Sequence, residues 1–342
     1  MAEPTPRELA LSALRHEETD RIPCNFMLSP PALAKLQGHL GRDEVDEFLG
    51  NCLYLYGCSD KPLYANPDKY GPTIADQYGV VWATSHADRG YPLEHPLRSP
   101  SLQDYQFPDP LEPRRWERVP QAATLHPECL RLAVVGDLWE RANFLRGLQP
   151  LLLDLREHPR FVHELLDHIA AYNLATLEGM VAYAPDGIFI SDDYGLQAGL
   201  MMSPMDWREF VKPRLELLLR AAQSHGLRTM LHSCGCVREI IPDLIELGLD
   251  ILHPIQPEAM DIRALKREYG RDLTFCGGVG TQQLLPAATP DEVRAEVWRT
   301  AEDMGRGGGY ILEPGITIQG DVPLGNLLAL VETAHAYRRR RP

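Results

Sequence analysis

The chain repeats a short apolar run followed by a longer stretch with helical spacing, and this alternation narrows the folds open to it. The runs centre near residues 24, 54, 134, 189, 230, 252, 275 and 311. A strand that is followed by a helix before the next strand pairs in parallel, because the helix carries the chain back across the sheet. About eight such units in 342 residues fit a closed (β/α)8 TIM barrel better than an open sheet. The expected fold class is therefore α/β, with residues 1–342 forming one barrel domain. No Gly-x-Gly-x-x-Gly follows the first run, so a dinucleotide-binding sheet has no fingerprint here.

Local signals set the element limits. Thr5 precedes Pro6 and reads as the cap of a first helix running to about His16. Asp20 to Phe26 holds the first strand, and Cys52 to Tyr56 the second. Pro150 to Tyr183 reads as one long helix, and Pro204 to His225 as another. Residues 60 to 130 break the rhythm: proline is dense, and Asp76 to Trp82 has hairpin character. We read this segment as an insertion after the second strand that covers one end of the barrel. Its aromatic residues (Tyr64, Tyr70, Tyr78, Trp82, Tyr91, Tyr105 and Phe107) either line a pocket or anchor a long loop.

The formal net charge of −14 argues against a nucleic-acid or anionic-membrane partner, both of which need a basic face. Only Arg338 to Arg341 form a basic run, at the chain end. The opening MAEPTPRELA lacks a basic-then-apolar signal sequence, and no apolar run reaches membrane-spanning length. Seven irregularly spaced cysteines predict reduced thiols and a cytoplasmic address. A closed barrel with an acidic exterior suits a monomer or a homodimer.

In parallel α/β barrels, chemistry sits where the strands end. Those ends carry Asn25, Asp137, Asp192-Asp193-Tyr194, His232 and Cys234, His253 and Gln256, Cys276, and Glu313. The run Arg228 to Gly235, RTMLHSCG, puts an imidazole and a thiol two residues apart, a donor pair that suits zinc. The same pair also arises from simple packing. Glu313 or Cys276 would complete a metal set with His232 and Cys234. Cys24, also at a strand end, stands level with Cys276 as a ligand choice, and Cys236, which follows Gly235 out of the strand, is a weaker one. Asp192 and Asp193 serve as acid, ligand or clamp, or merely cap a turn.

These blocks resemble the uroporphyrinogen decarboxylase superfamily: HSCG, DILHPIQPEAMDIRALKREYG, LTFCGGVGTQQLLP, GGYILEPGITIQGDVPLGNLLALVETA, and SDDYGLQAGLMMSPMDWREFVKPRL. The resemblance implies a (β/α)8 barrel. It also implies one of two chemistries. Decarboxylases of this kind hold substrate carboxylates with an arginine-rich segment of the form RQAGR just after the first strand. Here that place reads Asn25-Phe26-Met27-Leu28-Ser29-Pro30, without arginine. Corrinoid-linked methyltransferases share the His-x-Cys and move a methyl group between a methylcobamide, usually on a corrinoid protein, and a thiol or a folate. In thiol-accepting members zinc is held by His-x-Cys and a cysteine in a segment like APGC. His232 and Cys234 match. The distant cysteine does not, since the segment reads Glu313-Pro314-Gly315-Ile316.

The resemblance thus points to a corrinoid-linked methyltransferase with zinc at His232 and Cys234, completed by Glu313 or Cys276. Methylcobalamin or another corrinoid, or tetrahydrofolate, would be the co-substrate. Asp192, Asp193 and His253 are the expected catalytic groups. Asn25, Tyr194, Gln197, Gln256, Gln282 and Gln319 are the expected substrate contacts. A porphyrinogen decarboxylase and a non-catalytic binder of a corrinoid or small ligand are the alternatives.

Overall fold

The computed structural model describes residues 3–58 and 62–339. Residue 60, at the start of the expected insertion, and Arg340 and Arg341 of the basic tail lie outside the described residues. Among the described residues, ten strands follow in order: β1 (Leu53–Gly57), β2 (Thr73–Ala75), β3 (Val81–Ala83), β4 (Pro92–Glu94), β5 (Leu130–Gly136), β6 (Gly187–Ser191), β7 (Arg228–His232), β8 (Ile251–Ile255), β9 (Thr274–Val279) and β10 (Tyr310–Pro314). Seven of them form one parallel sheet in the order β1-β5-β6-β7-β8-β9-β10, with helices between successive strands from β5 onward. The sheet is curled and barrel-like, as strand–helix alternation predicts.

The first apolar run does not form a regular strand. It makes a single parallel bridge, Cys24 to Leu312. Even so, it links the two edge strands. Asn25 N donates to Leu312 O at 3.0 Å, Leu312 N to Pro23 O at 2.9 Å, and Cys52 N to Cys24 O at 2.9 Å. Pro23 lacks an N–H, and short pairing follows from that gap in the ladder.

Successive strands send Leu132, Phe189, Met230, Ile251, Cys276 and Ile311 into one buried cluster with Ala10, Ala13 and Leu14. The last three come from the first helix, Pro6–Leu14. Thr5 caps that helix through Glu8 N in a reciprocal capping box, with Pro6 at its first position. This apolar layer fills the space beneath the strand ends, and Cys276 borders the polar groups that gather there.

Two expected helices are interrupted at prolines. The stretch from 150 to 183 is two helices, Leu148–Glu157 and Pro159–Val181, because Pro159 cannot continue a helix and pushes His158 out of helical conformation. The stretch from 204 to 225 contains a π-turn at Trp207–Val211, just before Pro213. Between β1 and β5, strands β2, β3 and β4 form a separate antiparallel sheet, with the hairpin expected at Asp76 to Trp82. Its aromatics act as anchors. Tyr78 and Trp82 are buried, the Tyr105 hydroxyl donates to Tyr78 O, and Tyr91 faces solvent. Among the described residues, no helix is long and apolar enough to cross a membrane.

Candidate metal centre and barrel mouth

Register brings the key side chains together. Ser191 pairs with His232, and His232 with His253, so two imidazoles leave adjacent strands side by side. Their Nδ1 atoms are 2.9 Å apart. Only one proton fits between them, so one ring donates and the other accepts.

On the outer side of this pair, His232 Nε2 lies 3.4 Å from Cys234 Sγ and 3.5 Å from Asp193 Oδ1. The Cys234 backbone N–H holds the same Asp193 oxygen at 2.7 Å. The loops that carry Asp193 and Cys234 touch backbone to backbone. Gly235 has φ +80°, and a Cβ there would meet the Gly195 carbonyl carbon at 2.5 Å. Glycine is required on both counts. Tyr194 N donates to Ser233 Oγ at 2.9 Å and Cys236 N to Leu196 O at 2.7 Å, and Gly235 N donates to Gln256 Oε1.

On the inner side, His253, Cys276 and Glu313 form a second group. Cys276 Sγ donates to Glu313 Oε2 at 2.9 Å, His253 Nε2 is 3.5 Å from the same oxygen, and Asn25 Nδ2 donates to Glu313 Oε1 at 3.0 Å. Exposure separates the two groups. The Asp193 and His232 side chains are 23% and 21% exposed, while those of His253 and Glu313 are 1% and 2% exposed. Solvent touches the first group and not the second.

The metal set expected from sequence is therefore divided. His232 and Cys234 stand together, but Glu313 and Cys276 join His253 instead. The oxygen within reach of the outer pair is that of Asp193. The outer donors suit a borderline cation such as zinc. Tetrahedral zinc at ordinary bond lengths spaces its ligand atoms ~3.3–3.6 Å apart, and the N–S and N–O separations here are 3.4 and 3.5 Å. Burial pushes the Cys234 thiol up and His232 well down from their ordinary values. The lowered His232 value keeps its imidazole neutral, as a metal ligand must be. The thiol would lose its proton on binding.

Other expected residues have different placements. Asp192 is fully buried, and its carboxylate accepts from the amides of Leu138, Trp139 and Glu140 at 3.1, 3.0 and 2.6 Å. It caps a helix start, and its oxygens face those amides. Burial raises it to about 7 against that hydrogen bonding. Tyr194 is buried beside it. Gln197 and Gln282 are exposed and join two loops, Gln282 Nε2 to Gln197 Oε1 at 3.2 Å and Gln197 Nε2 to Glu258 O at 2.7 Å. Gln319 Nε2 donates to Thr317 O at 3.0 Å. Cys24 Sγ faces His335 Nε2 at 3.9 Å and lies close enough to Glu313 to feel its charge, and burial pushes its thiol up to about 12.

Two groups at the mouth escape a reading of strand ends. Arg89, from the segment before β4, donates to Glu140 Oε1 at 2.8 Å and is close enough to Asp193 and Cys234 to act on their charge. Glu140 is buried, and desolvation raises it to about 8 in spite of Arg89. Neither lies at a strand end. The folded chain keeps the Glu140 proton to higher pH than the unfolded chain, whose carboxyl titrates near 4.5. Stability from this group is present below that pH and is lost as pH rises through about 8. Denaturation midpoints from pH 5 to pH 9 should therefore fall more steeply for the wild type than for Glu140→Gln. Parallel curves would contradict this.

The uroporphyrinogen decarboxylase (URO-D) family model matches residues 93–337. The chain is 28% identical over 174 residues to a methylcobamide:CoM methyltransferase, MtaA, of Methanosarcina barkeri, covering 51% of this chain and 48% of that protein. It is 24% identical over 185 residues to a uroporphyrinogen decarboxylase of Psychromonas ingrahamii, covering 52% and 49%. The chain thus spans about half the length of the curated relatives it matches. The solved structure of a methyltransferase from Methanosarcina mazei superposes with a TM-score of 0.76, covering 98% of this chain and 99% of the other at 21% identity, which establishes a shared fold. Since the family match takes in most of its length, this chain belongs to the uroporphyrinogen decarboxylase family.

Proposed function

We propose that the protein is a corrinoid-linked methyltransferase acting on a thiol, with residues 1–342 forming one (β/α)8 unit and residues 60–130 an insertion at its mouth. The observation that carries this reading is the partly exposed Asp193–His232–Cys234 group, whose N, S and O donors stand at metal-ligand spacing. Asp193, His232 and Cys234 would hold zinc. When bound, zinc lowers the pKa of an acceptor thiol and presents it as a thiolate. The chain supplies the rest. His253 accepts from or donates to His232 Nδ1 and fixes that ring's orientation, and the Cys234 amide fixes Asp193. Arg89 supplies positive charge at the mouth, which favours an anionic acceptor.

The acceptor thiol would release its proton to solvent, and its sulfur would take the methyl group from the corrinoid, which would keep the electron pair of the broken carbon–cobalt bond. The methyl donor would be a methylcobamide, as the name of MtaA states for that protein, arriving on a corrinoid protein or as free methylcobalamin. A folate acceptor is the second form of the same reading. The seven cysteines are all free thiols, in keeping with a reducing, cytoplasmic setting.

Decarboxylation of a polyanionic porphyrinogen is less well supported. Arg141 is locked between Asp76 and Asp137, and Arg146 on Asp154 at 2.7 Å, so neither is open to substrate carboxylates. The test is to mix zinc-loaded protein with methylcobalamin and a panel of small thiols and follow the cobalamin absorbance. Protein-dependent loss of methylcobalamin is expected. A spectrum unchanged with every thiol would overturn the reading.

A further inference from the structure

We propose that His253, Cys276 and Glu313 form a second, inner metal site that competes with the outer site for a single cation. Three features mark it as a site. Its imidazole nitrogen, thiol sulfur and carboxylate oxygen lie within 4.8 Å of one another. That is an N, S, O donor set of the kind that takes zinc and similar borderline cations. All three residues are buried, and so is Asn25, which touches the Glu313 carboxylate. Two buried atoms there have no hydrogen-bond partner, His253 Nε2 and Asn25 Oδ1. Orphaned buried polar atoms are uncommon, and a cation here would engage the His253 nitrogen.

The competition follows from the histidine pair. The Nδ1 atoms of His232 and His253 share one proton across 2.9 Å. The ring that donates from Nδ1 has a bare Nε2, and the ring that accepts carries its proton on Nε2. A bare Nε2 is thus offered on the outer side or on the inner side, never on both. With the cation outside, His232 is the donor. With the cation inside, the roles reverse: His253 Nε2 and Cys276 give up protons, and His232 Nε2 and Cys234 take them up. The proton count is unchanged. A cation held inside is out of reach of substrate, so the inner site would be a parked state. This consequence rests on the outer site being the reactive one.

Cobalt(II) is the probe, because thiolate ligation gives it a charge-transfer absorption. Wild-type protein at saturating cobalt should bind one ion per chain. Cys234→Ser should still bind one, with a thiolate band that now comes from Cys276. Cys234→Ser combined with Cys276→Ser should lose that band, with circular dichroism confirming the fold of both variants. A folded Cys234→Ser protein without a thiolate–cobalt band would overturn the inner site. Two ions per wild-type chain would overturn the competition. Either result is separable from failure of the methyl-transfer reading, which would show as bound metal without methyl movement.

Discussion

Cys234→Ser is expected to slow methyl transfer from methylcobalamin to a thiol by about 10²–10³-fold, the scale on which removal of one group acting on developing charge is felt. Cys234 has the only thiol in the exposed donor group of Asp193, His232 and Cys234. Its sulfur is 3.4 Å from His232 Nε2. Serine keeps the Cys234 backbone amide that holds Asp193, so the loop geometry is retained while the sulfur is lost. The inner site sharpens the expectation: the variant should keep a metal ion and still be slow. Rates measured at matched metal content test this. A Cys234→Ser protein within a few-fold of wild type would remove the thiol from the mechanism.

The largest expected effect on stability belongs to Arg141→Ala. The Arg141 guanidinium forks onto Asp137 at 3.1 and 3.0 Å and also reaches Asp76 Oδ2 at 3.1 Å. Asp76 in turn accepts from the amides of Tyr78 and Val80 and from Trp82 Nε1. One arginine thus ties the separate three-stranded sheet to the exit of β5. The three side chains are only 14%, 5% and 10% exposed. Removing the cation strands two buried carboxylates, and breaking a buried pair in this way costs about 3–5 kcal/mol. Urea denaturation should show a loss of that size, with earlier proteolysis between β2 and β4. A change below about 1 kcal/mol, the range of an exposed pair, would show that the contact carries little.

Much of this arrangement was legible in the sequence, and the parts that were not share a cause. The short apolar runs at Leu132, Gly187, Thr229 and Leu273 gave strands because a buried parallel strand needs no alternation, only an uninterrupted apolar stretch and a turn behind it. Periodicity says less about breaks within helices, and the kinks at Pro159 and Pro213 came from a missing N–H. The strand ends nominated His232, Cys234, His253, Cys276 and Glu313. How these residues divide was set by register and strand length. β8 and β10 continue through Ile255 and Pro314, which keeps His253 and Glu313 inside the barrel. Asp193 rather than Asp192 faces the outer group because the amides of Leu138, Trp139 and Glu140 hold Asp192, while the Cys234 amide holds Asp193. Arg89 and Glu140 were missed because their meeting depends on how a proline-rich segment folds back over the mouth. Neighbouring residues do not encode that path.

The most direct test of the central claim is the fate of an isotopically labelled methyl group. Zinc-loaded protein would be incubated with ¹³C-methylcobalamin and 3-mercaptopropionate, and the products read by mass spectrometry. Methyl transfer to the thiol would give a labelled methyl thioether, formed only with protein present and strongly reduced in Cys234→Ser. No labelled thioether from metal-bound protein, with uroporphyrinogen decarboxylated by the same preparation, would contradict it.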